Sequence, residues 1–170
     1  MKLRWLKVIG LALFAAILAA LFVSGLWRAF VGPKARAVTS RSFESTPARL
    51  ERGKYLVENV TGCLHCHSDR DWKGNGSPIE ARKGAGAFFY GAPGTLHAPN
   101  ITPDKETGIG AWTKEQFRDA VRFNKNPRGG LLNYPMFPHV TLTDAETDAI
   151  WAFLQTVPPL RNPVQRYVAK

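Results

Sequence analysis

The sequence holds two cysteines, Cys63 and Cys66, in the stretch TGCLHCHSDR, with His67 directly after the second. Three chemistries use such a turn: thioether attachment of haem, a thiol/disulfide couple, or half of a zinc site. Structural zinc takes four Cys/His ligands, often from paired knuckles. Here there is no second cysteine pair, and His65, His97 and His139 do not form a knuckle. A couple of the thioredoxin type opens a helix after a strand in an α/β domain, and the sequence offers no such context. Haem attachment needs none. One helical turn presents Cys63 and Cys66 to the two vinyl groups of a porphyrin, and the adjacent His67 then aims a ring nitrogen at the iron. His65, inside the motif, reads as a solvent-facing spacer.

The elements that must position this turn are helical. Pro47 opens PARLERGKYLVENV at a helix position where its missing N–H costs nothing, and Leu50, Tyr55, Leu56 and Val60 are available to a core. In WTKEQFRDAVRFN, Thr113 and Gln116 stand in capping-box spacing, followed by Phe117, Ala120 and Val121 on one face. In LTDAETDAIWAFLQTVPP, Thr143 and Glu146 repeat the box, Ile150, Trp151, Phe153 and Leu154 form the apolar face, and Pro158 and Pro159 stop the helix. No alternating strand pattern stands out, so the fold class is all-α. Long Gly- and Pro-rich loops, residues 71–111 and 125–141, separate these helices. Such loops are unusual in so small a domain unless something organises them, and three short helices make a thin core. A large apolar cofactor answers both demands.

The first 27 residues are a separate element. Residues 8–27 carry no charge; at about 1.5 Å per residue they reach roughly 30 Å, the thickness of bilayer hydrocarbon, with Trp5 and Trp27 near the two interfaces. The competing reading is a cleaved signal peptide, but its apolar region is normally shorter, and the A-x-A of Ala35, Arg36 and Ala37 lies ten residues past Trp27 among cations. The expected organisation is a membrane anchor over residues 1–27, a flexible tether over 28–45 and a haem domain over 46–170. The net charge of +10 raises nucleic acid as a partner. Residues 1–36 hold six Lys/Arg and no acid, whereas 37–170 hold 17 Lys/Arg against 13 Asp/Glu. The excess thus sits at the anchor, where phospholipid headgroups are the simpler partner, and no basic stripe interleaved with aromatics is visible.

RGKYLVENVTGCLHCH, APNITPDKETGIGAWTKEQF and LTDAETDAIWAFLQTVPPLRNPV together resemble the single-haem domains of membrane-associated bacterial cytochromes c, including those in the cytochrome subunits of periplasmic alcohol and gluconate dehydrogenases. The resemblance covers residues 47–164. It implies a small cytochrome c-type helical domain wrapped around one covalent haem c, with His67 and a methionine as axial ligands. Met136, between Pro135 and Pro138, is the one methionine besides Met1, with His139 as the alternative ligand. The resemblance also puts Asn100 and Trp112 at positions that donate hydrogen bonds toward a haem propionate or order the loop. Gly53 is expected to allow close contact with the last helix.

The glycines of KGAGAFFYGAPG neither follow a strand nor open a helix, which argues against a nucleotide loop, and no nucleophile triad or paired catalytic carboxylates appear. The expected function is a membrane-anchored c-type cytochrome carrying single electrons between a dehydrogenase or quinol-oxidising complex and a downstream acceptor such as a terminal oxidase. The rival readings are a haem peroxidase-like enzyme and a thiol-disulfide oxidoreductase. Haem attachment to thiols takes place on the outer side of an energy-coupling membrane, so the expected location is the bacterial inner membrane, single-pass, with the haem domain in the periplasm.

Overall fold

A glycine decides how the two helices of the core meet. Helix α2 (Pro47–Tyr55) begins at Thr46, whose hydroxyl accepts the Arg49 N–H at 3.3 Å, and carries Pro47 at its first position. Gly53 is buried on the face that meets the last helix, α5 (Asp144–Leu154). A Cβ at Gly53 would lie 2.0 Å from the Ala149 carbonyl oxygen and 2.8 Å from Phe153 Cβ, so the helices touch through backbone and only glycine fits. The expected contact is present.

These observations come from a computed structural model that describes residues 2–23, 34–39, 43–91, 94–132 and 136–164. The chain forms two units, residues 1–35 and 36–170. In the first, helix α1 (Lys2–Val23) contains the stretch Arg4–Phe22, which is long and apolar enough to cross a membrane and has its side chains exposed. Residues 24–27 of the expected anchor, Trp27 among them, and residues 28–33 and 40–42 of the expected tether lie outside the described residues.

In the second unit, α2 runs into a π-helical turn (Leu56–Val60), closed by the Thr61 N–H on the Leu56 carbonyl at 2.8 Å. This wider turn shifts the helical phase. Leu56 and Val57 enter the core, while Tyr55 and Val60, counted as core candidates from the sequence, stand 52% and 56% exposed. Helix α3 (Cys63–Cys66) is a single turn. A loop with a 3-10 turn (Glu80–Arg82) then leads to an antiparallel hairpin of β1 (Ala87–Gly91) and β2 (Gly94–Ala98), paired from Ala87 opposite Ala98 to Gly91 opposite Gly94. Helices α4 (Lys114–Phe123) and α5 complete the unit, and both begin at the expected capping boxes, Thr113/Gln116 and Thr143/Glu146. Leu56, Val57, Leu64, Phe117, Ile150 and Leu154 form the centre of the core, with the Phe117 and Trp151 rings 5.1 Å apart. The fold is mostly helical as expected. The hairpin is an addition, lying in the Gly- and Pro-rich stretch that reads as loop.

Candidate haem site

The core packing fixes the turn that carries the cysteines. Leu64, between them, is 4% exposed and belongs to the core, which leaves Cys63 partly buried and Cys66 exposed. Cys63 Sγ lies 3.1 Å from the Thr61 hydroxyl. Burial pushes the Cys63 thiol up from its ordinary value, against the smaller pull of Thr61. A redox-active thiol needs the reverse, a stabilised thiolate.

His67 is held at three points. Its backbone N–H donates to the Cys63 carbonyl at 2.9 Å, its own carbonyl accepts the Gly86 N–H at 2.9 Å, and its ring Nδ1 donates to the Pro99 carbonyl at 2.7 Å. With Nδ1 carrying the proton, Nε2 keeps its lone pair, the state in which imidazole ligates a metal. Burial pushes the ring's pKa down, opposed by the Pro99 contact, so the side chain stays neutral. The neighbouring Ser68 is fully buried and accepts the Gly84 N–H at 2.9 Å. Gly86 sits at φ 92°, where a Cβ would approach Val164 Cγ2 to 2.6 Å and the Ala98 carbonyl to 2.8 Å. A larger residue there would push the loop that grips the His67 backbone.

Asn100 follows Pro99 and is 3% exposed. Its amide nitrogen donates to the Leu160 carbonyl at 2.6 Å and the Thr107 hydroxyl at 2.9 Å, while its oxygen accepts the Thr102 N–H at 2.9 Å and the Thr102 hydroxyl at 2.7 Å. Every hydrogen-bonding position of the amide is taken by protein. Of the two roles open to Asn100 in the sequence, ordering the loop is the one these partners support. Trp112 packs against the core, and among the described residues its indole N–H meets no acceptor. Met136 is half-buried in the loop between α4 and α5; Pro135 lies outside the described residues. His139, three residues on, anchors that loop through its backbone N–H on the Val121 carbonyl at 2.8 Å, with its ring half-buried.

The structure therefore brings Cys63, Cys66 and His67 together at one turn and sets the Pro99 carbonyl against His67, while Asn100 bonds to Thr102, Thr107 and Leu160. Two thiols at i and i+3 and an imidazole whose Nε2 meets no partner among the described residues are donors of the kind covalent haem takes, while Met136 lies apart from them in sequence, on the loop between α4 and α5. The sequence reading passed over Pro99 and Gly86. Pro99 lay inside the APNITPD stretch, and its carbonyl becomes meaningful once that stretch folds back onto the histidine; Gly86 carries no signal separable from its glycine-rich surroundings.

Residues 50–158, more than half of the chain, match the family model described as Cytochrome c. This chain belongs to the cytochrome c family. As a cytochrome c it carries electrons on covalently attached haem. Its relatives include a nicotinate dehydrogenase component of Pseudomonas putida, 36% identical over 154 residues that make up 88% of this cytochrome and 12% of that protein. The gluconate 2-dehydrogenase cytochrome c subunit of Pantoea cypripedii is 34% identical over 122 residues, 69% of this cytochrome and 25% of that subunit. A diheme cytochrome c-type protein of Cereibacter sphaeroides is 33% identical over 101 residues, 58% and 33% of the two chains. This cytochrome thus spans a quarter or less of the length of the first two, and the resemblance seen in its motifs is to proteins of that kind.

Proposed function

We propose that this cytochrome holds one haem through thioethers to Cys63 and Cys66, with His67 and Met136 as axial ligands. It would take electrons from a dehydrogenase or quinol-oxidising partner and pass them to a downstream acceptor at the outer face of a bacterial inner membrane. The observation that carries the reading is the Cys63–Cys66–His67 turn with the histidine Nδ1 committed to the Pro99 carbonyl. Its two cysteines supply one thioether pair. When bound, haem supplies a one-electron ferric/ferrous couple. His67 would hold the iron through Nε2, and the Pro99 carbonyl, bonded to Nδ1, fixes the ring plane and would strengthen that nitrogen as a donor. Met136 would supply the second ligand, a neutral thioether that would favour the ferrous state and keep small molecules from the metal. Trp112 offers its indole N–H to a propionate. With His67 and Met136 both holding the iron, the protein would move electrons without making or breaking substrate bonds. Helix α1 keeps the domain on the membrane, with lipid as its partner and membrane-bound complexes within reach of the haem edge.

The test is covalent retention followed by ligand replacement. The denatured protein is expected to keep its haem stain on a gel, at the mass of polypeptide plus one haem, and acid-acetone extraction is expected to leave the haem in place. The oxidised wild type should show the far-red sulfur-to-iron band, and Met136→Ala should lose it, lower the reduction potential and bind carbon monoxide after reduction. A wild type without that band, in which His139→Ala alone opens the iron, makes the ligation bis-histidine. Rapid carbon monoxide binding and peroxide turnover by the wild type would replace the carrier by an enzyme.

A further inference from the structure

The foot of the Met136 loop is closed by a buried ion pair to which a distant part of the chain is bound. Arg122, near the end of α4, is fully buried, and its Nη1 lies 2.6 Å from Oδ1 of Asp144, the first residue of α5, whose side chain is 10% exposed. The 21 residues between them include Met136. A second tie runs beside the pair, from the His139 N–H to the Val121 carbonyl at 2.8 Å, and the Leu142 N–H returns to the His139 carbonyl at 3.1 Å. Residues 36–39 then take up Nη2 of Arg122 and Oδ2 of Asp144, while the buried Arg122 Nε has no partner among the described residues. The Arg36 carbonyl accepts Nη2 of Arg122, the Arg36 N–H donates to the Val140 carbonyl at 3.0 Å, and Thr39 gives its hydroxyl, at 2.6 Å, and its N–H to Oδ2 of Asp144. A buried guanidinium and a nearly buried carboxylate are tolerated when their remaining hydrogen-bonding positions are satisfied. Residues 36–39 supply most of these bonds from 86 or more positions away in sequence.

We propose that residues 36–39 are a positioning element for the sixth ligand. Docked on the Arg122–Asp144 pair, they hold the foot of the loop that presents Met136, so the segment that follows the N-terminal helix and the ligand loop behave as one cooperative unit. The proposal rests on the reading of Met136 as a ligand. Its mechanism is a reduction in loop freedom. A loop whose ends are pinned by a neutralised ion pair opens less often, and each opening is an opportunity for the thioether to leave the iron. Thr39 acts on the iron through Asp144 and the loop, without touching haem.

The experiment compares full-length, haem-loaded wild type, Thr39→Val and Thr39→Ser in detergent. Valine keeps the shape of threonine and removes the hydroxyl donated to Asp144, whereas serine restores it. Three quantities are read on each: the far-red sulfur-to-iron band, the rate of carbon monoxide binding to the reduced protein, and amide hydrogen exchange across residues 137–143. Thr39→Val is expected to weaken the band and to speed both carbon monoxide binding and exchange about tenfold, the effect of losing one hydrogen bond to a charged group. Thr39→Ser should return all three toward wild type. Three unchanged readings in Thr39→Val overturn the proposal, and so does faster exchange with unaltered carbon monoxide binding, since the loop would then loosen without freeing the ligand. If the wild type itself lacks the band, the Met136 assignment fails on its own; faster exchange in Thr39→Val would still support the clamp at the loop's foot.

Discussion

Asn100 and Trp112 look equivalent in the sequence, each a polar donor in the stretch that resembles the family, yet the structure separates them. The four protein hydrogen bonds of Asn100 tie the 99–107 segment to the Leu160 carbonyl, and losing the amide would leave buried partners unpaired. Asn100→Ala is therefore expected to lower the stability of the haem-loaded protein by about 3 kcal/mol in urea titration. Its reduction potential should move little. The indole N–H of Trp112 has no acceptor among the described residues, so Trp112→Phe should barely change stability while shifting the potential by about 40 mV, through loss of one hydrogen bond to a propionate. A potential that moves in Asn100→Ala and stays fixed in Trp112→Phe would reverse these assignments. The donor set Cys63, Cys66 and His67 was legible in the sequence because it is contiguous. The Pro99 carbonyl was not, since a backbone acceptor 32 positions away leaves no mark in residue type.

At the scale of elements, what could be read was what is local. Both capping boxes are three-residue relationships between side chains and their own backbone, and α4 and α5 begin where Thr113 and Thr143 place them. Gly53 was legible because a glycine inside a helix needs a reason. Adding a methyl at that point would drive it into the Ala149 backbone, so Gly53→Ala should cost about 3 kcal/mol or more, measured as a lower urea midpoint, despite alanine's higher helix propensity. The hairpin escaped because its strands lie among glycines and prolines, and the π turn because it shifts phase without changing residue type. The start of α5 also sets an acid limit. Glu146 lies below the ordinary carboxylate range chiefly because the Thr143 N–H bonds to it. Desolvation pushes Asp144 up, but the Thr39 hydroxyl and N–H together with Arg122 bring it lower on balance. Folded values below the unfolded ones mean stability that is present above the ordinary carboxylate pKa and lost as pH falls through the depressed values. The urea midpoint should hold near about pH 6 and drop toward about pH 3, and Glu146→Gln should flatten part of that drop. An unchanged profile in Glu146→Gln would remove Glu146 as a source.

For the whole molecule, the sequence separated an apolar N-terminal helix from a folded domain, and the structure divides the chain after residue 35. What sequence patterning could not reveal is that residues 36–39 hydrogen-bond to the folded unit, because their partners, Arg122, Val140 and Asp144, are far along the chain. The chain from Val23 to Arg36 can reach at most about 45 Å when fully extended. If α1 is a retained anchor, that reach limits how far the haem edge can travel from the bilayer, and mature protein purified from membranes should begin at or near Met1 and resist carbonate extraction. A mature N-terminus near Val38 with a freely soluble product would make α1 a cleaved signal. That cleavage would also fall inside the segment docked on the Arg122–Asp144 pair, so the two outcomes differ at the iron as well. A chain starting at Arg36 keeps the core and every contact of residues 36–39, and is expected to fold as a soluble cytochrome with the spectrum of the full-length protein. One starting at residue 40 loses the bonds from Thr39 and Arg36, and should keep its covalent haem while its far-red band weakens. Equal spectra for the two truncations would show that the junction serves only to connect anchor and domain.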